Sequence, residues 1–181
     1  WSGRSSQALP GYGPGGTDAT SFDAGTGASF NYNRDGKFLV PGSSGSSGSS
    51  FQGSGAGGGA IKFIADGDFI LDGGSLISAC GGIGRNDQDP TKPGGGGSGG
   101  AVHIFANNID NRGMIRVLGG NGGAEGGQVL LATSNSLERG NLSLGSGHLI
   151  EINPPQFAPI DTQYLNFGNA KEIQKRINAT T

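Results

Sequence analysis

Residues 57–82 read GGGAIKFIADGDFILDGGSLISACGG. Glycine clusters bracket two short apolar runs, and Asp66, Asp68 and Asp72 fall between and after them. Two further stretches have the same layout. GGAVHIFANNIDNRGMIRVLGGNGG begins at Gly99, and GGQVLLATSNSLERGNLSLGSG begins at Gly126. Each opens on Gly-Gly and continues through an alternating apolar run, a polar bend, a second run and a glycine turn. The interval between the first two is lengthened by IGRNDQDPTKPGGGGS, which reads as an inserted loop. An internal repeat of this kind is stronger guidance to architecture than any local motif.

A strand turns successive side chains to opposite faces. In AIKFIA, Ile61, Phe63 and Ala65 share one face, while Ala60, Lys62 and Ile64 share the other. In AVHIFA the matched sets are Val102, Ile104, Ala106 and Ala101, His103, Phe105. One face is apolar and the other mixed. Short strands with glycine corners at a regular interval predict an all-β fold: a short parallel β-solenoid of about three glycine-cornered coils. Stacked coils would share the core that one coil cannot bury alone.

Composition bounds the rest. The chain has 181 residues, of which 39 are glycine, roughly three times ordinary usage. Twelve basic and 14 acidic residues leave a formal charge of −2, with no basic cluster to hold nucleic acid. No apolar run is long enough to span a membrane as a helix. The single cysteine, Cys80, excludes an internal disulfide framework and reads as a small buried residue. Trp1 in place of a starting Met suggests a processed product or a piece of a longer chain.

Three regions follow. Residues 1–54 are rich in Gly, Ser and scattered aromatics, with LPGYGPGG and PGSSGSSGSSFQGSG, and read as a capping or inter-subunit segment. Serine-glycine tracts alone resemble flexible linker. KFLV, Lys37, Phe38, Leu39 and Val40, reads as a short strand. Residues 55–152 hold the repeats. Residues 153–181 open with prolines that end a ladder. They contain Phe157, Tyr164 and Phe167, and close on KEIQKRIN, whose spacing predicts a short helix. This tail reads as a cap or docking segment.

The run GGGGSGGAVHIFANNIDNRGMIRVLGGNGG resembles the glycine-rich repeats of large secreted bacterial surface and fibre proteins. That resemblance implies right-handed parallel β-helices of the pectin-lyase-like type. It also implies adhesive, surface-layer or fibre roles in an extracellular or cell-surface setting. GPGG and GGGG bear a looser resemblance to phage tail-tip adhesins built of polyglycine helices. Long regular runs of glycine triplets, which that second resemblance needs, are absent, so it ranks below the first.

The candidate sites are few. Asp66, Asp68 and Asp72 are placed as carboxylates at a bend can be when they ligate calcium, although the spacing is not that of an EF-hand. Asp and Asn at bends also bond their own backbone. Asp87 and Asp89 in the inserted loop are a second calcium candidate. GGIGRN and GGGGSGG lack the Lys-Ser/Thr that follows a phosphate loop. Lys62, His103 and Arg116 would line one sheet if the coils stack in register, the only arrangement resembling a lyase site. No paired acids across a groove are evident, and the chain reads as a non-enzyme without a cofactor. Asn141 and Asn178 begin Asn-x-Ser/Thr sequons. Tyr12, Tyr32 and Tyr164 are candidates for stacking on surface glycans.

These observations predict a structural, self-assembling subunit of a filament, sheath or surface layer. Its partner would be another copy, with Lys37–Val40 and Phe157, Tyr164 and Phe167 as crossing residues. The competing expectations are an adhesin or glycan-binding module, then a polysaccharide-degrading enzyme.

Overall fold

A computed structural model of the chain describes residues 16, 27–28, 30, 36–48, 52–85, 93–122 and 124–152. Among these residues the strands are β1 (Ala60–Ile64), β2 (Asp68–Leu71), β3 (Leu76–Ser78), β4 (Ala101–Asn111), β5 (Met114–Arg116), β6 (Gln128–Glu138), β7 (Asn141–Ser143) and β8 (His148–Ile152). Every strand pair is parallel. A five-stranded sheet runs β1-β4-β6-β8, with β2 also on β4, and a three-stranded sheet runs β3-β5-β7.

The apolar face predicted from alternation is the core. Val102, Ile104, Ala106 and Ile109 from β4, Ile115 and Val117 from β5 and its exit, and Val129 and Leu131 from β6 form one buried cluster. Matching Gly-Gly starts set the register: Ala60 lies beside Ala101, which lies beside Gln128. A one-residue slip would turn each of these side chains out of the core, so the register is strongly specified.

The solenoid expectation is corrected. The two sheets stay open and do not close into coils. β1 and β2 both lie along the single long strand β4 instead of forming a coil of their own. The physical reason is in the glycines. Only some of them make corners, such as Gly74 (φ 83°) in the Asp72–Ser75 turn, where a type II turn requires positive φ. Most of the remainder leave the sheets and pack on one another.

That glycine array is built around residues 94–100, GGGGSGG, the end of the stretch expected to be an inserted loop. Its N–H groups address three neighbours in rotation. Gly94, Gly97 and Gly100 donate to the carbonyls of Arg85, Gly82 and Ala79. Gly95 and Ser98 donate to Ser46 and Ser43. Gly96 and Gly99 donate to Asn121 and Glu125. A fixed partner every third residue is the signature of an extended helix with three residues per turn. Gly55 and Gly58 donate in turn to the carbonyls of Gly95 and Ser98.

Five segments therefore surround residues 94–100: those around Ser43–Ser46, Gly55–Gly58, Ala79–Arg85, Asn121–Glu125 and Ala28. Residues 42–48 of the serine-rich tract are part of this array and not linker. Its glycines fall at 42, 45 and 48, the triplet spacing that a threefold helix needs. Gly42 and Gly45 donate to Gly58 and Gly55, and Ser43 and Ser46 are buried.

Lys37–Val40 forms no strand. It leads into the array from Gly36, where a Cβ would lie 2.6 Å from Leu130 Cδ1 and 2.8 Å from Ile150 Cδ1. Gly36 itself thus lies over Leu130 and Ile150 on the outer face of the larger sheet. The tail with Phe157, Tyr164 and Phe167, the KEIQKRIN helix, Asp87, Asp89, Asn178, Tyr12 and Tyr32 all lie outside the described residues.

Candidate functional site

The open sheet ends are the most distinctive surfaces. Among the described strands, β1 and β2 have a partner on one side only, as do β3, β7 and β8. At the first edge, Phe63, Phe69, Leu71 and Ile77 point towards the core yet stay half covered, with no described strand beyond them. Phe63 and Phe69 rest against each other with ring centroids 5.2 Å apart. The outward residues of the same edge are also apolar: Ile64 is 65% exposed, and Ile70 and Leu76 are exposed as well. At the last edge, Leu142, Leu144 and Leu149 are half covered in the same way. An open edge with apolar side chains is a template for pairing with another chain.

Beside the first edge, the polar bend is a side-chain ladder. Ser136 Oγ donates to Asn108 Oδ1 at 2.8 Å, and Asn108 Nδ2 donates to Asp68 Oδ1 at 2.6 Å. In a parallel column, Ser134 Oγ donates to Asn107 Oδ1 at 2.9 Å, and Asn107 Nδ2 donates to the Asp66 carbonyl. The bend holds a register shift between Ala106 and Asn108, and the buried Thr133 hydroxyl fills it by donating to the Asn107 carbonyl at 2.6 Å. Asp72 faces Arg112 at 3.7 Å, and Arg112 Nε lies 3.0 Å from Asp110.

Asp66, Asp68 and Asp72 thus serve the bend through different partners. Among the described residues, no group of three or more His, Cys, Asp and Glu is gathered to hold a metal ion. Replacing Asn108 by Ala removes both ladder contacts at a half-buried position. The expected loss is about 0.5–1.5 kcal/mol per net hydrogen bond, read from denaturant midpoints.

The stripe of Lys62, His103 and Arg116 is not formed. Lys62 and His103 are register partners in the larger sheet, whereas Arg116 belongs to β5 of the smaller one, between Ser78 and Ser143. His103 is buried, and its Nε2 donates to Gln128 Oε1 at 2.9 Å. The Lys62 ammonium sits 4.8 Å over the Phe105 ring.

Desolvation lowers the His103 pKa below its ordinary value, opposed by the Gln128 hydrogen bond and aided by Lys62. The unfolded chain therefore binds a proton more readily than the folded one. Stability is full above the unfolded value, near 6.5, and falls as pH drops from there towards the folded pKa. His103→Gln is expected to flatten this part of the stability profile, measured by thermal melting across that range.

Asn141 opens β7 and is exposed, so its side chain is accessible on the surface. Cys80 is a free, half-buried thiol that accepts a hydrogen bond from the Ser78 hydroxyl at 3.4 Å. Among the described residues, no helix is long and apolar enough to cross a membrane.

The edges and the array were the features hardest to foresee. The spacing of Gly42, Gly45 and Gly48 was the available signal for the array. Comparison with family models, curated proteins and solved structures returned no match.

Proposed function

We propose that this chain is a structural, self-assembling subunit of an extracellular or surface assembly, joined to further copies through the open edges of its parallel sheets. One observation carries the reading: the core does not end at the first edge. Phe63, Phe69, Leu71 and Ile77 lie half covered beside strands with no outer partner among the described residues, flanked by exposed Ile64, Ile70 and Leu76. Further apolar burial there is favourable at about 25 cal/mol per Å². The glycine array suits a structural role, since the N–H groups of residues 94–100 are tied to several different segments. The array supplies rigidity with few side chains.

Sedimentation velocity tests the reading. Phe63→Glu places a charge on the inward face of the first edge, and Ile64→Lys places one on its outward face. Both variants should shift the protein to the single-chain mass while keeping its far-ultraviolet circular dichroism. Variants that fold and associate as the unaltered chain does would remove the edge from the reading.

A further inference from the structure

The smaller sheet turns Ile77, Ile115 and Leu142 inward, as register partners across β3, β5 and β7. Successive side chains of a strand face opposite ways. Leu76, Met114 and Asn141 therefore form the adjoining column on the outer face. All three are exposed, Leu76 at 54% and Met114 at 40%. Strands in a sheet lie about 4.8 Å apart, so Asn141 stands next to Met114 and one strand further from Leu76.

Asn141 is also the one asparagine among the described residues that begins an Asn-x-Ser/Thr sequon. The sequon, Asn141, Leu142 and Ser143, is the whole of β7. Parity puts Asn141 and Ser143 on the outer side, with Leu142 between them packed on the core. The chain enters this strand from Gly140, whose φ of 53° makes a bend. The amides of Asn107, Asn108 and Asn111 are engaged within the fold, donating to Asp66, Asp68 and Arg139. An attached sugar is bulky and has to remain at the surface of the folded chain. The position of Asn141 meets that requirement.

We infer that Asn141 carries an N-linked oligosaccharide whose first sugars lie over Met114 and Leu76. This rests on the extracellular setting proposed above, since the chain must pass a secretory compartment. The donor is an oligosaccharide joined through C1 of its first sugar to a polyprenyl diphosphate. Asn141 Nδ2 attacks that C1. A C–N bond forms, the C–O bond to the diphosphate breaks, the amide gives up one proton, and polyprenyl diphosphate leaves. The attached pyranose presents an apolar C–H face, and Met114 is an unbranched, adaptable side chain on which such a face can settle. Tethering holds the sugar beside the column at high local concentration, so a weak contact is enough to keep it there. The glycan thus covers apolar surface that the sheet leaves in water.

Peptide mass mapping of the full chain recovered from its source cells tests the site. The peptide holding Asn141 should carry an oligosaccharide that a peptide N-glycosidase removes. Secreted from a eukaryotic cell, the unaltered chain should gain the same kind of glycan at Asn141, and Asn141→Gln and Ser143→Ala should lack it there. Met114 is the single methionine of the chain, so its sulfoxide is read directly by mass. Hydrogen peroxide should oxidise it several-fold more slowly in the glycosylated protein than after the glycan is released, with Asn141→Gln matching the released form. Circular dichroism checks that all forms keep the fold. A chain found outside the cells with Asn141 bare overturns the site and leaves the extracellular setting standing. A chain found only inside the cells and bare overturns the setting, and the site with it. A glycosylated Asn141 with equal oxidation rates before and after release keeps the site and overturns the cover over Met114.

Discussion

Gly97→Ala is expected to abolish the native fold. A Cβ at this position would lie 2.0 Å from the Ala56 carbonyl oxygen, 2.3 Å from its carbon and 2.7 Å from the Gly57 nitrogen. All three are backbone atoms, so no side chain can rotate away. Gly97 N also donates to Gly82 and its carbonyl accepts from Gly120, which fixes the segment from two sides. Overpacking in a core that can relax costs about 1–3 kcal/mol. Here several hydrogen-bonded segments would have to separate together, and the loss should exceed that range. A domain whose whole stability is about 5–15 kcal/mol does not absorb such a change. The control is Gly67→Ala: nothing lies within 4 Å of a Cβ there, and the expected change is within experimental error. Thermal melting of the two variants reads the difference. A cooperative, unshifted transition for Gly97→Ala would show that the array is not packed backbone to backbone.

Leu131→Ala is expected to have the largest effect among substitutions in the sheets. Leu131 is fully buried and lies beside Ile104 in the middle of the larger sheet, with Glu151 beyond it. Truncating a buried leucine costs about 2–5 kcal/mol, with the upper part of the range where the surroundings cannot collapse. Parallel strands held on both sides give little room to collapse, so the upper half is expected. The same truncation at Ile83, which is 76% exposed, should be nearly neutral. Denaturant titration gives both values, and comparable midpoints for the two variants would contradict the assigned core.

The core was legible because alternation is a side-chain signal. AIKFIA and AVHIFA announce their inward faces, and Val102, Ile104, Ala106 and Val129 are where parity places them. The matching Gly-Gly starts likewise gave the parallel register. The architecture was misread because glycine has no side chain to show which way it faces. A glycine at a corner and a glycine in a packed threefold helix look alike one at a time. Only their spacing separates them, as at Gly42, Gly45 and Gly48.

The candidate site divides in the same way. The aspartates were readable as bend residues, and Asp68 is bonded as such through Asn108. Arg116 was assigned to the wrong sheet because its strand, β5, follows a bend that changes sheets. The inward carboxylate of Glu151 was within reach of parity. In HLIEI, Leu149 and Glu151 share a face, and Leu149 aligns with Val129. What the sequence alone could not supply is that β8 ends the described sheet, which makes an inward carboxylate tolerable there.

The most direct test of self-assembly is the mass of the unaltered chain by light scattering over a wide dilution series under native conditions. The expected result is a concentration-dependent rise above the single-chain mass. A single-chain mass at every concentration, with the fold intact, would contradict it.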